Sequence, residues 1–211
     1  MEFDFIYRRH SVRKFKQDPV NDQHIEAIIT AATYAPSGKN AQNWHFVVVT
    51  DKNKITELAH IVEQENSKLD QFFTDEKQIK AFKGALGYQT VFKNAPVLVL
   101  VYAGPYETVA DMLTQAGVMA ATEISKYAKP NPGIQNVAAA MENLHLAAAS
   151  LGYGTCWMTG PTYAAEAISD YLGFKKDGYH LAALTPLGIP LTDKVSSPPR
   201  KPLAEVLTII R

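Results

Sequence analysis

Arg9, His10, Ser11 and Arg13 put guanidinium forks, an imidazole and a hydroxyl into one short run. Arginine donates paired hydrogen bonds to phosphate oxygens, and a serine hydroxyl adds a neutral donor. The wider run from Tyr7 to Phe15 also reads as a solvated basic surface, and these residues alone leave both readings open. A second basic pair, Arg200-Lys201, lies among prolines near the C-terminus. It could meet the same phosphate if the tail folds back, although a solvated tail would have the same composition.

The stretch Pro36-Ser37-Gly38-Lys39-Asn40-Ala41-Gln42 has a different chemistry. Gly38 permits close backbone approach, while Ser37, Asn40 and Gln42 carry hydroxyl and amide groups. Such groups can read the polar edge of a planar heterocycle, for example an isoalloxazine ring. A plain turn between a helix and a strand would use the same residue types. Cys156 sits between Thr155 and Trp157 in an apolar run, where a cysteine packs rather than reacts. His24, His45, His60, His145 and His180 are scattered without ligand spacing, so no metal site is expected. No phosphate-loop or Gly-x-Gly-x-x-Gly fingerprint occurs, which excludes a nucleotide-binding module of either type.

These residues need elements to hold them. Ile25, Ile28, Ile29 and Ala32 repeat at helical spacing within 21–34, with Asn21 or Asp22 as cap and Pro36 beyond the end. The β-branched run 45–50 predicts a buried strand. A helix over 51–71 follows, with Ile55, Leu58, Ala59 and Val62 on one face. The segment 72–92, polar and aromatic with Gly84 and Gly87, predicts a mobile helical excursion. Strands are expected at 95–103, 154–159 and 179–187, and helices around 107–127, at 137–151 and at 163–172. The Pro130-Asn131-Pro132-Gly133 stretch reads as a break before the Ala-rich helix, which is apolar nearly all round and therefore buried on several sides. The tail 196–211 begins irregular, and Leu203 to Ile210 has strand-like composition. Helices and strands interleave without a regular βαβ rhythm, so the class is α+β.

A chain of 211 residues, 46% hydrophobic and 20% charged, suits one domain spanning 1–211. Its 21 basic and 21 acidic residues cancel, which argues against nucleic acid or an anionic membrane as partner. One cysteine excludes an intrachain disulfide and fits a reducing compartment. The N-terminus, with Glu2 and Asp4 before the basic run, has no signal-peptide pattern, and 95–103 is too short to cross a bilayer as a helix. A cytoplasmic protein is the expectation.

Several motifs keep one order along the chain. They are Arg9-His10-Ser11-Val12-Arg13; Ala35-Pro36-Ser37-Gly38 through Asn40, Gln42 and Trp44; Asn143-Leu144 through Ala148; Leu151 to Trp157; and Arg200-Lys201-Pro202-Leu203 with Glu205-Val206. Together they resemble the nitroreductase family over nearly the whole chain. The resemblance implies an α+β fold around a mixed sheet flanked by helices, an intertwined homodimer and tightly bound FMN at the subunit interface. It assigns Arg9, His10, Ser11 and Arg13 to the ribityl phosphate and the ring's polar edge, with Arg200 and Lys201 closing on the phosphate. Pro36, Ser37, Gly38 and Asn40 would come from the neighbouring subunit. Met158, Thr159 and Gly160 would pass the ring with a backbone N–H towards N5, and Asn66 would be a further flavin contact. One departure concerns the loop: Gln42-Asn43-Trp44 stands where the family has Gln-x-Pro-Trp, so a rigidifying proline is missing.

The implied reaction is a ping-pong one in which NAD(P)H, bound transiently, reduces the flavin and a nitroaromatic or quinone-type acceptor reoxidises it. No protein acid or base is expected to be catalytic, because the chemistry belongs to the cofactor. The excursion 72–92 would form the substrate cover, its Phe72, Phe73, Phe82, Tyr88 and Phe92 either stacking on a flat acceptor or simply packing. Two alternatives remain beside this reading. One is a narrower reductive reaction (enone reduction, dehalogenation or flavin destruction), the other a flavin-binding or storage protein without efficient turnover.

Overall fold

A computed structural model describes residues 3–192 and 198–211. Glu2, and Ser196 and Ser197 at the start of the expected tail, lie outside the described residues. Four strands, β1 (Trp44–Val49), β2 (Val97–Ala103), β3 (Gly154–Thr155) and β4 (His180–Gly188), form a sheet in the order β1-β2-β4-β3. All strand pairs are antiparallel, and a parallel bridge between Ser11 and Thr155 extends the sheet at β3. This is the expected α+β architecture.

β2 is buried along its whole length because both of its faces are covered. Strand alternation sends Val97, Val99, Val101 and Ala103 to one side and Leu98, Leu100 and Tyr102 to the other. The first set packs on α2 (Asp22–Thr33) and α7 (Pro132–Ser150). The second packs on α3 (Lys52–Leu69) and α8 (Ala165–Leu172). Asn21 caps α2 through the Gln23 N–H, and Asp51 caps α3 through the N–H groups of Asn53 and Lys54. The expected helix and strand positions at 21–34, 45–50, 51–71, 95–103 and 179–187 thus all hold within a few residues.

Other boundaries move for identifiable reasons. The helix expected around 107–127 is two, α5 (Val109–Ala116) and α6 (Ala121–Ala128), because Gly117 at φ 62° ends the first. The Pro130–Gly133 stretch is a start rather than a break: Asn131 accepts from the Ile134 N–H, and Pro132 occupies the first turn, where its missing N–H costs nothing. The strand expected at 154–159 stops after Thr155 and resumes only as a bridge from Met158 to Leu184. In between, the Cys156 N–H donates to the Thr185 hydroxyl. Pro186, next to Thr185, has no N–H to offer a ladder.

A short α1 (Asp4–Arg8), not anticipated, precedes the basic run. The excursion contains α4 (Glu76–Gln89), continuous through Gly84 and Gly87 and without a buried residue. In the tail, Leu203–Glu205 is a 3-10 turn and the rest is irregular, with every described side chain exposed. Among the described residues the strand-like segment 203–210 therefore pairs with no strand. No helix among them is long and apolar enough to cross a membrane.

Candidate functional site

The basic run leaves α1 as an extended strand-like segment laid beside β3. The Val12 N–H donates to the Thr155 carbonyl at 2.8 Å, and Val12, Phe15 and Ala95 form a small buried cluster beneath it. A side chain at position 154 would strike Val12 at 2.6 Å, so Gly154 is what allows this approach. With Val12 turned inward, its neighbours Ser11 and Arg13 are exposed. Two grooves run along the segment. One, of about 350 Å³, is lined by Phe5, Arg8, Arg9, His10, Gly154 and Thr155 among others. The second, of about 160 Å³, is lined by His10, Ser11, Arg13, Lys14 and Pro190 with others. The Arg9 Nε lies 3.7 Å from a Glu142 carboxylate oxygen, a loose and partly exposed pair that a better anion could displace. His10 directs Nδ1 to the Arg8 carbonyl at 3.0 Å, leaving the other ring nitrogen free for a ligand.

His145, on α7, lies under this segment. Its Nδ1 is 3.2 Å from the Thr155 hydroxyl, and its Nε2 has no partner. Burial, with the Arg9 charge nearby, pushes its pKa down to about 3, so the ring is neutral at physiological pH.

The 36–42 loop belongs to the other end of α7. The Gly38 N–H donates to Asn136 Oδ1, while the Gln42 N–H donates to the Ser37 hydroxyl and the Gln42 amide to Asn40 Oδ1. Pro36, Gly38 and Asn40 are exposed and Ser37 is half-buried. Asn136 and Ala149, the latter lining the larger groove, are thirteen positions apart on one helix, hence about 20 Å apart. Glu142, which meets Arg9, is only six positions from Asn136, about 9 Å along the same helix, and no hydrogen bond or ion pair among the described residues joins the cluster to the loop.

The remaining expected site residues divide. Asn66 is 2% exposed, and its amide donates to the Tyr163 hydroxyl, which in turn donates to Gln89 Oε1 at 2.8 Å. Met158 has spent its N–H on the Leu184 carbonyl, so an N–H facing a ring must come from Thr159 or Gly160, both exposed. Arg200 turns its guanidinium to the Pro198 carbonyl, and no hydrogen bond or ion pair among the described residues joins Arg200 or Lys201 to the cluster. Of the aromatics expected in the cover, Phe92 is core, Phe72 and Tyr88 are exposed, and Phe82 stacks between Phe73 and Tyr163 at 5.0 and 6.1 Å. Cys156 is buried and free, a packing residue.

No site role for Asn43, Asn136, His145 or Tyr163 was evident from the sequence. A polar residue inside an otherwise apolar helix, as at 136 and 145, was the available signal for two of them.

The family model of the nitroreductase family matches residues 6–189. Among solved structures, a BluB-like flavoprotein from Clostridium difficile 630 superposes with a TM-score of 0.92 at 36% identity, covering 100% of this chain and 99% of that one. A nitroreductase with bound FMN from Bacteroides fragilis has the same fold, with a TM-score of 0.71 at 24% identity over 99% and 98% of the two chains. A protein of Archaeoglobus fulgidus named as an NADH dehydrogenase/NAD(P)H nitroreductase is 29% identical over 153 residues, 72% of this chain. The match spans 64% of that relative's own length. An iodotyrosine deiodinase of Hydra vulgaris is 28% identical over 206 residues, 94% of this chain and 69% of that protein. Since the family match takes in the basic segment, the 36–42 loop, α7 and the β3–β4 edge together, the chain belongs to the nitroreductase family.

Proposed function

We propose that the chain is an FMN-dependent oxidoreductase that uses NAD(P)H to reduce nitroaromatic or quinone-type acceptors in a ping-pong cycle, as a cytoplasmic homodimer. The observation that carries this reading is the Arg9–Arg13 edge. Two guanidinium groups and a hydroxyl line grooves on a segment pinned to β3, a donor set suited to a phosphate monoester. FMN, when bound, supplies hydride acceptance and transfer. The chain's own part is to bind and orient. Arg9, His10, Ser11 and Arg13 hold the phosphate and the ring's polar edge, and Arg200 and Lys201 approach once the tail is ordered against a second subunit. The stretch Met158, Thr159 and Gly160 passes the ring and offers it the N–H of Thr159 or Gly160, while Asn66, buried on the Tyr163 hydroxyl, becomes a flavin contact only when that bond opens. Arg13 places a fixed positive charge where negative charge accumulates, which needs no proton transfer.

Two features support the dimer. The loop residues Pro36, Ser37, Gly38 and Asn40 share no hydrogen bond or ion pair with the cluster of their own chain among the described residues, and Pro36, Gly38 and Asn40 are exposed. In addition, α7 leaves Ala138, Ala139 and Leu146 only partly covered, while Leu203, Val206, Ile209 and Ile210 in the tail are exposed. A second copy would cover both.

The test is steady-state oxidation of NADH and NADPH with menadione or nitrofurazone, with parallel double-reciprocal lines expected. FMN-loaded protein that oxidises neither nucleotide would sink the proposal. Arg9→Ala and Arg13→Ala should each lower FMN retention; fully loaded variants would contradict the phosphate assignment.

A second reading is a narrower reductive reaction, dehalogenation in particular. The match to the Hydra vulgaris deiodinase over 94% of the chain favours it. Iodide release from iodotyrosine under dithionite or NAD(P)H, compared with nitrofurazone turnover, separates the two.

A further inference from the structure

Three non-glycine residues of the loop lie in the left-handed region: Lys39 (φ 57°), Asn40 (φ 51°) and Gln42 (φ 43°). Such backbone persists only where its surroundings over-determine it. Here the surroundings are two buried amides, Asn43 at 3% and Asn136 at 6% exposure. Asn136 Oδ1 accepts from the Gly38 N–H at 3.0 Å, and Asn136 Nδ2 donates to Asn43 Oδ1 at 2.9 Å. Asn43 Nδ2 donates onward to the carbonyls of Gly104 and Gly133, at 3.2 and 3.1 Å. The Asn43 carbonyl accepts from the Gly104 N–H at 2.6 Å. Each polar atom of the Asn43 side chain is thereby used, and the bonds run without interruption from the loop through α7 to the end of β2.

Tyr106 closes the loop from outside. A Cβ at Gly38 would collide with the Tyr106 hydroxyl, and one at Gly133 would come within 2.8 Å of the Tyr106 Cβ. The Lys39 ammonium lies over the same ring, 5.6 Å from its centroid. The loop backbone is boxed between an aromatic ring and a helix.

We propose that Asn43 and Asn136 are positioning residues, a buried amide clamp that presets the 36–42 loop as a wall for the cofactor held by the neighbouring subunit. The proposal rests on the dimeric flavin reading above. It accounts for the proline missing from Gln42-Asn43-Trp44: side-chain hydrogen bonds supply the rigidity that a pyrrolidine ring would otherwise give. It also accounts for the saturated amide pair at a place where two apolar residues would pack at less cost.

Asn136→Ala leaves the Gly38 N–H and the Asn43 side-chain oxygen unpaired but keeps the whole phosphate grip. Its homodimer should bind FMN roughly tenfold to a hundredfold more weakly, read by quenching of flavin fluorescence. Hybrid dimers locate the loss. Pairing an Asn136→Ala subunit with one carrying Arg9→Ala and Arg13→Ala gathers both defects into one site and leaves the other site intact. One site per hybrid should then bind FMN with wild-type affinity. Its recovery also shows that the Asn136→Ala subunit is folded, because that subunit supplies the intact grip. If Asn136→Ala does not fold, Gly38→Ala on the exposed loop displaces the wall from the other side. It should weaken FMN binding, and adding Tyr106→Ala in the same chain should restore part of it. Wild-type affinity in Asn136→Ala homodimers, or in Gly38→Ala where the first variant is unusable, overturns the clamp. Hybrids with two weakened sites, beside weak Asn136→Ala homodimers, would instead sink the shared-site reading.

Discussion

His145 is an imidazole with one nitrogen on the Thr155 hydroxyl and the other on nothing, 1% exposed beneath the basic segment. Its folded pKa of about 3 lies below the ordinary 6.5. Between those values the unfolded chain binds a proton that the folded chain does not, so stability falls as pH drops through this window. At pH 5 the loss is about 2 kcal/mol relative to pH 7.5. Urea midpoints of wild type and His145→Gln at both pH values check this. The wild type should lose about 2 kcal/mol more than the variant, and equal losses would contradict a proton-free His145. The residue was visible in the sequence only as one scattered histidine. Its role depends on the rotation of α7 about its axis, which brings position 145 over Thr155, and on an Arg9 that arrives from far away in the chain.

Among the elements, α4 and α7 are opposites. α7 buries Val137, Ala140, Met141, Leu144 and Ala148, while α4 buries nothing. α4 is held by the Phe73–Phe82–Tyr163 ring contacts, the bond from the Tyr163 hydroxyl to Gln89, the Lys83–Asp70 ion pair at 2.9 Å and Leu86 against the core. Few buried contacts mean low local stability. Hydrogen exchange should therefore run orders of magnitude faster through 76–89 than through 137–148, and equal protection would refute a loosely held cover. Gly84 and Gly87, which suggested interruptions, lie inside the continuous α4, whose Ile79, Phe82 and Leu86 turn a half-buried face inward. The start of α7 was not legible: Pro130-Asn131-Pro132-Gly133 has the composition of a break, and only the capping bond from Asn131 shows that a helix begins there. The gap in β3 was equally hidden, since it is made by the hydroxyl of Thr185 on another strand.

For the whole molecule, the tail leaves Leu203, Val206, Leu207, Ile209 and Ile210 exposed. Deleting residues 198–211 should abolish dimerisation and lower FMN occupancy, read by light scattering and by absorbance in the flavin region. A stable, flavin-loaded dimer without the tail would contradict the intertwined arrangement. The strand-like composition of 203–210 could be read directly, but its irregular path could not, because among the described residues no strand receives it. The same holds for the cofactor. The residue types of the 9–13 cluster and of the 36–42 loop could be read directly, whereas their attachment to Glu142 and Asn136 on one helix appears only once α7 is built.

The burial of β2 on both faces and both edges has a consequence in time. Its edge towards β1 can close as soon as residues 44–103 exist, but its other edge waits for Leu187 to reach Val97. On the ribosome, a seven-residue stretch of Val, Leu, Tyr and Ala therefore spends most of the remaining synthesis half-paired. Expression yield, more than catalysis, is where weak β4 variants will first be noticed.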